Sequence, residues 1–263
     1  MDLGLKDKVA LVVASSSGLG RAVAEELADE GASLVICSRE TERITKTASE
    51  ITDLTGAHVM AVAADLTHTA DVQRLVEAAL ARFGRIDILV TNGGGPPAGK
   101  FDSLTAEQWE AATRLTLFSA IELARHVLPG MKQQRWGRIL NITSISVKQP
   151  VDGLMLSNSL RSGLTGFART LANEVAADGI TVNNILPGYT RTERVEELAQ
   201  MMAEKQGITA EDFKAKWESE IPMRRLGEPR EFAALAAFLV SERASYITGT
   251  SIQVDGGWIR SLY

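Results

Sequence analysis

The sequence predicts an α/β fold, a doubly wound parallel sheet flanked by helices, with residues 1–263 forming one domain. Three observations predict it. Short runs such as Val9-Ala10-Leu11-Val12-Val13 are apolar throughout, as strands buried on both faces must be. Helical segments separate them, with apolar pairs such as Val23 and Leu27 at i, i+4 and closing glycines at Gly31 and Gly84. Strands alternating with helices at this interval imply right-handed crossovers, and therefore parallel pairing.

The elements follow in order. Val9–Val13 is a strand, and a Ser/Gly turn leads to a helix over Arg21–Glu30. Then come a strand at Leu34–Cys37, a helix over Glu42–Leu54, a strand at Val59–Ala63 and a helix over Ala70–Phe83. Ile86–Val90 is the fourth strand, followed by a Gly- and Pro-rich loop, Asn92–Gly99. A long helical region runs from about Ala106 to Met131. Ile139–Ile142 is a strand, Asn158–Ala177 a helix and Ile180–Leu186 a strand. Thr192 to Trp217 is polar and helical, Glu228–Val240 is a helix, and Ser251–Val254 is the last strand. No repeat, linker or low-complexity block divides the chain.

Composition narrows the function. Apolar residues make up 45% and charged residues 23% of the chain, which is ordinary for a globular protein. A net charge of −5 argues against a general nucleic-acid or anionic-membrane binder, and no stretch is long and apolar enough to span a bilayer. The opening Met1–Asp7 lacks a basic region followed by an apolar one, so a cytoplasmic location is expected. Cys37 is the single cysteine, which excludes an intramolecular disulfide and a Cys-based zinc site, and a small buried apolar role is expected for it. His58, His68 and His126 do not cluster with acids at ligand spacing, so no metal is expected.

The chemistry-bearing residues sit where strands end. Ala14-Ser15-Ser16-Ser17-Gly18-Leu19-Gly20 lies between strand and helix. Gly18 and Gly20 let backbone N–H groups approach a pyrophosphate, and the hydroxyls of Ser15 and Ser17 add donors. An acid for the adenosine ribose is missing after the second strand, where Ser38-Arg39 stands instead. An Arg there can hold a 2′-phosphate, which favours NADP(H), with NAD(H) as the second option. Asp65-Leu66 follows the third strand, where Asp65 either caps the next helix or accepts from an adenine amino group. Asn92-Gly93 follows the fourth, at the strand ends where open sheets bind ligands.

Together with Ser144, Pro187-Gly188, Ile221–Pro229 and Val254-Asp255-Gly256-Gly257, these residues resemble the short-chain dehydrogenase/reductase family along essentially the whole chain. The pattern is similar to that of 3-oxoacyl-(acyl-carrier-protein) reductases. The resemblance implies a single-domain Rossmann-type fold, an NADP(H)-dependent oxidoreductase and a carbonyl or secondary-alcohol substrate, with a 3-oxoacyl thioester as one candidate. It also implies a homotetramer or homodimer, a lid at about residues 190–221 over a small-molecule substrate, and contacts from Thr190 and Thr192 to the nicotinamide side of the cofactor. The family's glycine motif usually starts Thr-Gly, whereas this chain has Val13-Ala14.

Three of four catalytic positions depart from the family. Ser144 keeps its place. Ser157 stands for the family's Tyr, Arg161 for its Lys, which also binds the nicotinamide ribose, and Thr116 for its Asn. A serine hydroxyl is shorter and far less acidic than a phenol, and an arginine does not pass on a proton. Tyr189, Lys148 and a water held by Ser144 and Ser157 are the alternative proton donors, and Tyr189 reads equally as a pocket wall. Two readings therefore stand: an oxidoreductase with an altered donor, and a catalytically impaired dinucleotide binder acting as a sensor or partner subunit. In the lid, Met201, Met202, Phe213 and Trp217 serve either an apolar ligand or helix packing.

Overall fold

In the computed structural model, which describes residues 2–262, the apolar runs become seven strands. They are β1 Val9–Val12, β2 Ser33–Ser38, β3 Val59–Ala63, β4 Ile88–Asn92, β5 Gly137–Ile142, β6 Ile180–Pro187 and β7 Ser251–Val254. Every pairing is parallel, in the order β3-β2-β1-β4-β5-β6-β7. Chain order reverses between β1 and β4, and the loops leaving these two strands diverge to open a crevice. Met1 and Tyr263 lie outside the described residues.

The helices are α1 Gly18–Asp29, α2 Thr41–Thr55, α3 Thr69–Phe83, α4 Ala106–Thr113, α5 Ser119–Gln133, α6 Met155–Val175, α7 Glu193–Gln206, α8 Ala210–Glu220 and α9 Pro229–Leu239. Val23 and Leu27 of α1 are fully buried on one side of the sheet, in a cluster with Ile36, Ile88 and Phe232 of α9. The other side packs α3, α5 and α6 through Leu75, Leu123 and Ala168 against Leu11 and Leu89. Cys37 is buried in this second layer, and desolvation pushes its thiol up to about 12, consistent with the apolar role expected of it.

Several boundaries differ from the sequence reading for local reasons. The glycine turn is itself helical, so α1 starts at Gly18 rather than Arg21. β4 runs two residues later than expected, because its ladder with β5 extends from Ile88 to Asn92. Before it, the buried carboxylate of Asp87 accepts the N–H of Val9 at 2.9 Å. The long helical region is not continuous: a π-helical turn over Arg114–Phe118 separates α4 from α5. α6 begins at Met155, which places Ser157 in its first turn. Gly207, at a left-handed φ of 67°, divides the polar helical stretch after Thr192 into α7 and α8.

A buried polar chain crosses the sheet. Thr91 donates to Asn141 Oδ1 at 2.7 Å, Asn141 to Asn184 Oδ1 at 3.0 Å, and Asn184 to Ser251 Oγ at 3.1 Å. These residues face one another in register on β4, β5, β6 and β7. A one-residue slip would turn each amide away from its partner, so the chain fixes register as well as satisfying buried polar groups.

The phenyl ring of Phe232 is the largest side chain with no solvent exposure. Phe232→Ala is expected to lower the unfolding free energy by about 3–5 kcal/mol, the usual range for an emptied aromatic site. Urea titration followed by circular dichroism checks it, and a loss below ~1 kcal/mol would mean that α9 does not anchor this layer.

Candidate functional site

The crevice encloses about 640 Å³ and is lined by the carboxyl ends of β1 through β6 and by the start of α7. Most of the residues singled out in the sequence meet there. Ser17, Gly18, Leu19, Ser38, Arg39, Asp65, Leu66, Asn92, Gly93, Ser144, Ser157, Arg161, Pro187, Gly188, Tyr189, Thr190 and Thr192 all line it. Ser15, Gly20 and Thr116 do not.

At the nucleotide end, Ala14 turns the chain sharply with φ at 49°, a left-handed conformation ordinarily left to glycine. The N-cap of α1 is Ser17, whose side chain makes no capping bond, and no acid lies in the first turn. Its N–H groups therefore face the crevice with the helix's partial positive charge uncompensated by a cap. Ser15 turns inward instead, its hydroxyl donating to Val12 O at 2.7 Å, and Ser16 takes its place in the lining. Gly20 serves packing rather than ligand contact, since a Cβ there would meet Ala14 O at 2.5 Å and Asn92 Nδ2 at 2.8 Å. Asn92 in turn donates to Ala14 O at 3.2 Å and steadies the turn.

Arg39 is exposed at the end of β2, and no hydrogen bond from its guanidinium is found among the described residues. Arg43, one helical turn later, joins it in the lining and pairs with Glu193 of α7 at 2.5 Å. That hydrogen bond first of all holds the Glu193 carboxyl below the usual carboxylate range. Asp65 does not cap α3, whose N-cap is His68. Its Oδ1 accepts from Thr67 N at 2.9 Å and Thr67 Oγ1 at 2.8 Å, closing a local turn. Burial opposes its charge, but these bonds outweigh that and keep its pKa low.

At the other end, Ser144 Oγ accepts from Ser146 N at 3.1 Å, which leaves its own O–H directed elsewhere. Ser157 and Arg161 lie one turn apart on α6, at 9% and 7% exposure. Arg161 Nη1 donates to Ile142 O and Thr143 O, both at 2.9 Å, and Nη2 to Gly93 O at 3.3 Å. Its partners are carbonyls rather than a carboxylate. Desolvation, then the nearby charge of Arg194, depresses its pKa to about 10. Thr116 sits on the π-helical turn, buried behind the crevice, with its hydroxyl unpartnered.

Tyr189 lines the crevice but stacks on Trp217 with centroids 4.3 Å apart, and it meets Trp258 edge-on. Burial, with a smaller contribution from Glu220, pushes its phenol up to about 12, further from a useful acid. Lys148 is engaged with Gln253 at 2.7 Å. Phe213 and Trp217 are buried in the packing between α7 and α8, with Met202 against the same cluster, and Met201 also stays out of the lining. Helix packing thus accounts for Phe213, Trp217 and Met202. Thr192 caps α7 by accepting from Val195 N at 3.3 Å while also facing the crevice. Gly188 lets β6 approach the closing turn, where a Cβ would meet Asp255 Cα at 2.7 Å.

Sequence reasoning did not find Arg43, Glu193 or Arg194. Arg43 carried a signal, since it lies four residues after Arg39 and follows it into a helix. Arg194 reaches back across the crevice to Pro96 O at 3.2 Å, a contact with no local trace in the sequence.

The left-handed turn gives a direct test. Ala14→Gly is expected to leave the unfolding free energy unchanged or raise it by up to about 1 kcal/mol, because released strain offsets glycine's entropy. The same exchange at Ala78, inside α3, should cost roughly 1 kcal/mol. Urea titration of both variants checks the contrast, and equal losses would rule out strain at Ala14.

Comparison with known proteins agrees with this geometry. The family described as Enoyl-(Acyl carrier protein) reductase matches residues 13–259. The 3-oxoacyl-(acyl-carrier-protein) reductase of Aquifex aeolicus is 34% identical over 257 residues, covering 98% of this chain and 99% of its own. The L-sorbose reductase of Gluconobacter frateurii, complexed with NADPH and L-sorbose, superposes with a TM-score of 0.95 at 35% identity and covers all of both chains. A 7α-hydroxysteroid dehydrogenase complexed with NADH superposes with a TM-score of 0.89 at 29% identity, over 100% of this chain and 98% of that one.

Proposed function

The chain belongs to the short-chain dehydrogenase/reductase family, and on that premise we propose that it is an NADP(H)-dependent oxidoreductase with an altered proton donor. It interconverts a carbonyl and a secondary alcohol, and a 3-oxoacyl thioester is one candidate substrate. The observation that carries the cofactor choice is the pair of arginines, Arg39 and Arg43, lining the nucleotide end where no acid ends β2. The fit to a dinucleotide rests on this chain's own groups. The uncapped start of α1 and Ser17 suit a pyrophosphate, and the left-handed Gly18 brings the backbone close to it. Thr190 and Thr192 would face the nicotinamide side.

Bound there, a reduced nicotinamide nucleotide supplies a hydride. Ser144 and Ser157 orient the carbonyl oxygen by donating hydroxyl protons, and Arg161 stabilises the negative charge that develops on it. A water held by the two serines would hand the alkoxide its proton, and the hydroxide left behind would be reprotonated from solvent; Tyr189 is instead held in aromatic packing with Trp217 and Trp258. One observation favours the second reading, a dinucleotide binder with little turnover. Arg161 spends its donors on the carbonyls of Ile142, Thr143 and Gly93, where the family keeps a lysine for ribose and proton relay.

Titration with NADPH and NADH, followed by turnover with a carbonyl panel, separates the two. If Arg39 reads a 2′-phosphate, Arg39→Ala should weaken NADPH binding by roughly 10- to 100-fold, as loss of a charge-assisted bond does, and leave NADH nearly unchanged. Equal loss for both nucleotides would remove the assignment. Tight NADPH binding with no turnover across the panel would favour the binder.

A further inference from the structure

The crevice is charged differently at its two ends. Arg39, Glu40, Arg43, Asp65 and Glu193 gather at the nucleotide end, with Glu193 already paired to Arg43. The other charged lining residues are Arg161, Arg194 and Glu197, and Arg194 is close enough to Arg161 for their charges to interact. Arg161 is buried and meets only carbonyls. Arg194, in the first turn of α7, reaches the loop after β4 and donates to Pro96 O at 3.2 Å. Its carboxylate neighbour is Glu197, 3.7 Å away, with a side chain 69% exposed. A solvated pair of this kind contributes little and is easily exchanged.

Gly95 gives an independent sign that the place of Arg194 is built in. Its φ is not among the positive ones, so its backbone does not call for glycine. A Cβ there would lie 2.7 Å from Arg194 Nε and 3.1 Å from Nη2. The residue is bare where the guanidinium rests on it. Arg161 and Arg194 thus converge on the same short loop, one at Gly93 and one at Pro96, within a crevice that also carries the apolar Val151, Leu154 and Val195.

We infer that the substrate is an oxo acid or its hydroxy-acid counterpart, with its carboxylate held by Arg194 and its carbonyl or hydroxyl oxygen at Ser144 and Ser157. This rests on the oxidoreductase reading above and names the substrate class of the same site. Arg194 is then the specificity-determining residue, and Gly95 is the position that admits it.

Isothermal titration tests this with acetoacetate and 4-oxopentanoate against their neutral methyl esters. Each is titrated into the protein alone and into the protein saturated with NADP+. The acids should bind at least about tenfold more tightly than the esters, the range expected of a charge-assisted bond. Arg194→Ala should abolish the preference, Arg194→Lys should keep part of it, and Gly95→Ala should weaken acid binding while sparing the esters. Equal affinity for acid and ester, binding of neither, or a preference surviving Arg194→Ala each overturns the inference. Acid preference in a protein that binds neither NADPH nor NADH would keep the anion pocket and sink the oxidoreductase reading. Nucleotide binding without acid preference would do the reverse.

Discussion

Parallel strands ending together leave a row of backbone carbonyls at one edge of the sheet, and a single guanidinium satisfies three of them here. Arg161 reaches Ile142 at the end of β5, Thr143 just beyond it and Gly93 beyond β4, so one side chain on α6 joins a helix to two strand ends. An arginine suits this role because its planar fork presents several donors at fixed angles, whereas an ammonium on a flexible stem presents a point charge. Buried without a carboxylate, the cation leaves a positive field in the crevice. Both the placement of the Gly93 loop and the electrostatics of the reacting end follow from it.

The fold was legible because its signals are local. Continuous apolar runs, helical spacing and closing glycines need no knowledge of which segments meet, and they located all seven strands. The glycine turn, Arg39, Asn92 and Ser144 were legible for a similar reason, as each sits at the end of an element with a recognisable pattern, whereas Ser157 and Arg161 were reached only through the family resemblance. What escaped depended on contacts between distant segments. Ser15 and Ser17 look alike in the sequence, yet one hydroxyl turns to Val12 while the other faces the crevice. Asp65 was weighed as a helix cap, but Thr67 competes for it locally. Thr116 fell behind the crevice because a π-helical turn, which no periodicity announced, redirects that stretch.

Arg43 on α2 and Glu193 on α7 join two walls of the crevice across 150 residues of chain. Arg194, the next residue, reaches the opposite wall. Adjacent residues of one helix start therefore touch both sides of the crevice, and the start of α7 is tied at two points, by an ion pair and by a hydrogen bond to a carbonyl. The solvent-exposed Arg43–Glu193 pair is weak, so it can be traded for a ligand group of matching charge at little cost.

The amide chain from Thr91 to Ser251 has a sense: each member donates toward β7 and accepts from the side of β4. Its members are consequently not equivalent to lose. Replacing Asn141 with an apolar residue would strand a donor on one neighbour and an acceptor on the other, whereas changing Ser251 would strand one group only. Replacing the whole row at once would strand none. Such a row resists stepwise change from its middle and tolerates it from its ends, so drift in this row has to begin at Thr91 or Ser251.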